Sequence, residues 1–364
     1  MKLKIEKNAF LAGMQIVQNG VSLRSTLPIL SNVLLTASKE NLSLTTTDLD
    51  LSVRCSMKAD IGKTGASTLP ARRLLSIIRE LPESALEMQV DDKDVAEITC
   101  GSSFFKIIGI RDDEFPAFPK ADDKRTYRLT QGAFKEMLRK TSYAASSDET
   151  RYVLNGVLLS FRGNKLIVVA TDGRRLAFAE QELDVPKEAE ADMILPTKTV
   201  GQLMHTLGDE GELSIHGMQN QIIFDFNDIQ VASKLIEGTY PNYKQVIPGE
   251  CDERIAVERE SLLSALRRVS QIATDKSNAV KLIFGKNKLV VASVTPDVGE
   301  AQDSIPVKYA GKQITVAFNP EFVMDPLKNL TNDEVFFELT DELSPGVIKC
   351  DMPFLYVLMP MRVS

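Results

Sequence analysis

An internal repeat of about 124 residues constrains the fold of this 364-residue chain more than any other feature of its sequence. Each copy opens on an alternating hairpin. Asn32-Val33-Leu34-Leu35 leads to Leu42-Ser43-Leu44 and Thr47-Asp48, and Asn155-Gly156-Val157-Leu158-Leu159 leads to Leu166-Ile167-Val168 and Thr171-Asp172. The third copy runs from Val280-Lys281-Leu282-Ile283 to Lys288-Leu289-Val290-Val291, with Val294-Thr295 in place of the Thr-Asp pair. Next comes a strand whose proline opens a helix, at Leu69-Pro70, Leu195-Pro196 and Asn319-Pro320. In the last of these Asn319 suits a helix cap and Pro320 the first helical position. Each copy closes on a strand and a proline, at Phe115-Pro116, Tyr240-Pro241 and Met359-Pro360.

A unit of this length can bury a core of its own, unlike a solenoid repeat. Polar stretches punctuated by Pro or Gly at 116–124 and 248–253 separate the copies and predict domains over residues 1–119, 127–247 and 254–364. Apolar spacing of three and four predicts amphipathic helices at 8–20, 131–142 and 259–273, and the prolines open further helices at 71–81, 197–207 and 320–330. Short alternating strands with turns such as Arg162-Gly163-Asn164-Lys165 fill the remainder. The predicted class is α+β: three similar domains, each with two helices and about eight antiparallel strands. Two-fold pairing of such chains would close six domains into a ring. Pro326 falls inside the sixth helix, which it is predicted to kink or shorten.

The net charge of −7 argues against a protein that holds nucleic acid by neutralising phosphates everywhere on its surface. Sorted by element, however, the six helical segments carry +6 and everything else −13. Helices sharing one face would make a basic lining on an acidic protein, an arrangement suited to sliding along DNA without base contacts.

Nothing in the chain builds an enzyme site. His205 and His216 belong to no metal-ligand or catalytic pattern, and glycine-rich phosphate loops and nucleophile elbows are absent. Asp48 and Asp172 recur at matching strand ends, where an aspartate more often turns the backbone than binds metal. Cys55, Cys100, Cys251 and Cys350 stand too far apart for a zinc motif and read as reduced thiols. No metal or cofactor is expected. The apolar runs are strand-length and Met1–Lys7 carries no secretory h-region, so a cytoplasmic location is expected.

Several runs then become specific. Leu23-Arg24-Ser25-Thr26-Leu27-Pro28-Ile29-Leu30-Ser31-Asn32, Thr46-Thr47-Asp48-Leu49-Asp50, Arg151-Tyr152-Val153-Leu154-Asn155-Gly156, Ala170-Thr171-Asp172-Gly173-Arg174-Arg175-Leu176-Ala177 and Tyr356-Val357-Leu358-Met359-Pro360-Met361-Arg362 occur in order across the whole chain. In these it resembles the bacterial sliding clamps, the β subunit of DNA polymerase III. The resemblance implies a DNA clamp fold, a head-to-tail homodimeric ring with its helices lining the lumen, and a non-catalytic role as processivity factor. It implies as partners duplex DNA, the replicative polymerase, the clamp loader, bypass polymerases and mismatch-repair proteins. A scaffold that binds peptides without any DNA role is the alternative.

The resemblance also implies site residues. A partner-peptide groove falls on Leu154, Thr171, Gly173, Arg174, Arg175, Leu176, Pro241, Gln245, Val246, Val357, Met359, Pro360, Met361 and Arg362. Arg174 stands where well-known members have His, and Gln245 where they often have Arg. Arg175 and Arg362 are expected to meet peptide carbonyls or carboxylates. DNA-lining positions fall on Arg24, Arg72, Tyr152 and Lys198, to which the charge count adds Arg73, Lys135 and Arg139. The dimer contact falls on Phe105, Ile107 and Ile272, with Asp297, Glu300 and Asp303 as acidic partners for the Arg73 region. Without the resemblance, Met359-Pro360-Met361 reads as terminal core packing.

Overall fold

The computed structural model describes residues 1–22, 27–122, 125–249, 253–274, 279–296, 298–351 and 353–362. Among them lie six α-helices: α1 (Lys7–Val17), α2 (Ala71–Glu80), α3 (Gln131–Thr141), α4 (Thr197–Thr206), α5 (Arg259–Val269) and α6 (Pro320–Asn329). Each predicted helix is present. Those predicted to run to 20 and 273 end instead in the 3-10 turns Gln18–Gly20 and Ser270–Ile272. Asn319 caps α6 by accepting the Glu321 N–H at 2.9 Å, and Pro320 opens the helix.

The chain packs as two compact units, Met1–Lys135 with Lys198–Leu235, and Glu136–Thr197 with Ile236–Ser364. The first holds a five-stranded sheet and an eight-stranded sheet, all antiparallel. The five run Asp60–Lys63, Lys2–Glu6, Ala85–Val90, Val95–Cys100, Ser103–Ile108. In the eight-stranded sheet, Thr126–Thr130, Glu212–Gly217, Gln221–Phe226 and Ile229–Lys234 continue into Leu51–Lys58, Asn41–Thr47, Asn32–Ser38 and Gly65–Pro70.

The second unit repeats that plan. Its eight-stranded sheet runs Ala191–Pro196, Gly156–Arg162, Lys165–Thr171, Arg175–Glu182, and on into Phe354–Leu358, Gly346–Lys349, Glu334–Leu339 and Glu253–Glu258. A four-stranded sheet orders Gly299–Pro306, Lys288–Thr295, Val280–Gly285, Ile314–Phe318. Both eight-stranded sheets therefore join strands of successive sequence repeats, through Val231 opposite Val53 in one and Val357 opposite Leu176 in the other. Backbone pairing across the linkers explains why the compact units differ from three segments cut at those linkers.

Alternation sets the core. In Asn32–Ser38 and Asn41–Thr47 the side chains of Val33, Leu35, Leu42 and Leu44 are fully enclosed, and each such burial contributes roughly 1.5–3 kcal/mol. Asp48 and Asp172 take the same turn in the two units. Asp48 Oδ1 accepts the N–H groups of Asp50 and Leu51 at 3.0 and 2.8 Å. Asp172 Oδ1 accepts those of Arg174 and Arg175 at 2.9 and 3.1 Å. Both carboxylates shape backbone, as their position at strand ends suggested.

Candidate partner groove and basic helix surface

The expected groove residues of the second unit divide into a floor and a rim. Leu154, Leu176 and Val357 are buried in one apolar cluster with Leu158, Val169, Ile194 and Tyr240. Tyr243 and Ile247 pack against that cluster, so the 3-10 turn Tyr243–Val246 is anchored while Val246 between them stays 40% exposed. Met359 and Met361 are each 38% exposed. An open surface of Val and Met beside a closed apolar floor is an adaptable seat for another chain's side chains.

Hydrogen bonds fix the walls. Thr171 N–H donates to the Tyr240 hydroxyl at 3.1 Å, and the Thr171 hydroxyl donates to the Arg175 carbonyl at 2.6 Å. Gly173 turns the chain at φ +85°, a left-handed conformation in which a side chain would also press on Arg151 Nη1 at 3.0 Å. Met359 N–H donates to the Arg174 carbonyl at 3.0 Å and Met361 N–H to the Ala317 carbonyl at 2.7 Å. The segment that reads as terminal packing without the resemblance is thus held along a strand end. Pro241 follows Tyr240 and is exposed, Pro360 is half-buried, and the side chains of Gln245 and Arg362 are exposed and make no hydrogen bond or ion pair among the described residues.

Arg175 is tied into the groove wall. Its guanidinium is engaged internally, by Asp172 Oδ2 at 3.0 Å, Asp325 Oδ2 at 2.5 Å and the Tyr143 carbonyl at 2.7 Å, and it lies 4.2 Å from the Phe322 ring centre. Burial alone would push this guanidinium down, yet the Asp325 carboxylate holds it above its ordinary value. It braces the groove wall against α6 through three of its five N–H donors. Pro326 belongs to the same brace. Lacking an N–H, it leaves the carbonyl four residues back, on Phe322, without a helical donor. The Tyr356 hydroxyl donates to that carbonyl at 2.9 Å, and α6 continues through to Asn329 instead of stopping at the proline. Burial pushes the Tyr356 hydroxyl up, keeping it protonated and a donor. Sequence reasoning missed Tyr240, Asp325 and Tyr356; the interior proline was the available signal for the last.

The expected DNA-lining residues also divide. In the first unit Arg72 and Arg73 are exposed on α2, and neither guanidinium has an ion-pair partner among the described residues. Arg72 and Lys198 border one cleft of about 610 Å³, whose floor includes Met14, Val17 and Leu75. Lys198 also pairs with Asp48, and Lys135 with Asp209 at 3.0 Å. In the second unit Glu136 takes both Arg139 and Lys140, at 2.6 and 3.2 Å. Part of the positive charge counted on α3 is therefore offset locally, at Lys135 and Arg139 among others. Tyr152 is 58% exposed on the 3-10 segment Glu149–Leu154, and Arg24 lies outside the described residues.

Ser103–Ile108 is an edge strand of its sheet. Strand alternation turns Ile107 into the core and leaves Phe105 half-buried, so the most exposed apolar side chains of this edge are Phe104 and Ile108. Ile272 is half-buried at the end of a 3-10 turn in the second unit. Asp303 is taken by Arg268 at 2.5 Å, Glu300 is exposed, and Asp297 lies outside the described residues. No group of three metal-ligating side chains occurs among the described residues, and no described helix is long and apolar enough to cross a membrane.

Comparison with known proteins covers the whole chain. Family models described as the DNA polymerase III beta subunit N-terminal, central and C-terminal domains match residues 1–119, 128–242 and 244–362. A beta sliding clamp from Chlamydia muridarum is 33% identical, with 100% of this chain and 99% of that one aligned. One from Pseudomonas putida is 31% identical over the full length of both. Among solved structures, a sliding clamp from Pseudomonas aeruginosa bound to griselimycin superimposes with a TM-score of 0.95 at 30% identity, each chain fully covered. The sliding clamp from Bacillus subtilis gives 0.95 at 27% identity, again with full coverage.

Proposed function

Since this chain belongs to the DNA polymerase III beta subunit family, the sliding clamps, we propose that it encircles duplex DNA and tethers the replicative polymerase there, conferring processivity. Two chains associate head to tail, and their three repeats each close a six-domain ring. The edge strand carrying Phe105 and Ile107 meets the region of Ile272, with Phe104 and Ile108 flanking the contact. The ring does no chemistry and needs no cofactor. It works in the cytoplasm, where the clamp loader, bypass polymerases and mismatch-repair proteins reach it through short peptides.

The observation that carries the DNA role is the pair of guanidinium groups of Arg72 and Arg73, unpaired among the described residues and exposed on a helix of a chain whose net charge is −7. Such groups attract phosphates without reading bases. Tyr152 and Arg24 complete the proposed lining, with Lys198, Lys135 and Arg139 contributing less because acids already hold them. The apolar seat formed by Leu154, Leu176, Val246, Val357, Met359 and Met361 carries the partner role, with Arg175 supporting its wall. Primer extension on a long circular template tests the reading. Added clamp and loader should lengthen the products of the replicative polymerase, and Val246→Asp should abolish the effect. Unchanged product length with the wild-type protein would refute the proposal.

A further inference from the structure

Charge at the rim separates two classes of peptide that the apolar floor alone would accept equally. The backbone of Arg174 is fixed at both ends of the residue. Its N–H donates to Asp172 Oδ1 at 2.9 Å, and its carbonyl accepts the Met359 N–H at 3.0 Å. The side chain is exposed, and among the described residues its guanidinium has neither an ion pair nor a hydrogen bond. Carboxylates nearby are already committed. Asp172 is held by Arg175, Asp325 by Arg175 and by Lys328 at 3.6 Å, and Asp148 by Arg151 at 3.1 Å. Arg362, just beyond Met361, is likewise exposed and unpartnered among the described residues. Two cations without an ion pair among the described residues therefore border a seat of exposed Val246, Met359 and Met361.

We propose that Arg174, seconded by Arg362, makes this groove select peptides in which a carboxylate side chain flanks the apolar anchor residues. The inference rests on the groove being a peptide site. Because the Arg174 backbone is already bonded to its neighbours, little ordering is needed before its guanidinium meets a carboxylate. A planar guanidinium can also take both carboxylate oxygens at once. Gln245, a neutral amide, adds no competing charge.

The test uses two fluorescein-labelled heptapeptides titrated against the full-length protein by anisotropy. One has two adjacent leucines flanked on each side by aspartate, and the other has asparagine in place of both aspartates. The wild-type protein should bind the aspartate peptide about three- to tenfold more tightly, as expected of a few rim ion pairs. That ratio should shrink as salt rises to about 0.5 M. Arg174→Gln should bring it close to one without weakening the asparagine peptide, and Arg174→Lys should restore part of it. Equal binding of both peptides to the wild type overturns the charge selection while leaving the groove standing. Binding that persists unchanged in Val246→Asp overturns the groove assignment, and this inference with it.

Discussion

Tyr356→Phe isolates the bond that compensates the interior proline of α6. The variant keeps the ring, which is fully buried, and deletes only the hydroxyl that donates to the Phe322 carbonyl at 2.9 Å. Pro326 supplies no N–H, so this carbonyl loses its donor. A net hydrogen bond is worth about 0.5–1.5 kcal/mol, and a stranded part-buried acceptor adds to that, so the loss should be about 1–2 kcal/mol. Pro326→Ala restores a backbone N–H in the position to bond the Phe322 carbonyl. In that background Tyr356→Phe should cost under about 0.5 kcal/mol, giving a coupling of roughly 1 kcal/mol. Urea unfolding of the four proteins at equal m-value measures the cycle. If Tyr356→Phe costs the same with Pro326 and with alanine there, the hydroxyl does not substitute for the missing helical donor and the reasoning fails.

Three further outcomes follow from the same geometry. Arg72→Ala combined with Arg73→Ala should weaken retention on nicked circular DNA several-fold, whereas Lys135→Ala, whose charge Asp209 already holds at 3.0 Å, should change it little; filter-bound counts after gel filtration compare them. Asp325→Ala leaves the Arg175 guanidinium with Asp172 and the Tyr143 carbonyl, and should lower groove-peptide affinity several-fold by loosening the wall, read by anisotropy, with part recovered in Asp325→Glu. Burial pushes the Cys55 thiol up to about 12 from its ordinary 9.0. Its thiolate is therefore scarce at pH 8, and Ellman's reagent should label Cys55 only on unfolding; rapid labelling of the native protein would contradict its burial.

Much of the fold was legible because the chain repeats itself. The duplicated Thr-Asp strand ends announced paired turns, and the prolines at Pro70, Pro196 and Pro320 marked where strands give way to helices. Periodicity could not show that Leu51–Lys58 pairs with Ile229–Lys234, because register between strands far apart in sequence leaves no local trace. Nor could counting charge distinguish Arg72, which has no ion pair among the described residues, from Arg139, whose acid lies three residues away on the same helix turn. At the groove, resemblance supplied the residue set but not the internal partners of Arg175. Only coordinates reveal that Asp325, 150 residues distant, takes its guanidinium. One residue along the edge strand, alternation likewise decided that Phe104 and Ile108 point outward and Ile107 inward.

The central claim is that this protein holds DNA by enclosing it. Labelled protein is loaded onto a nicked circular plasmid, freed of unbound material, and followed by gel filtration before and after a single restriction cut. Enclosure predicts that the label stays with the circle and leaves within minutes of linearisation at unchanged salt. Label that remains on the linear DNA to the same extent would show binding by affinity alone and contradict the account.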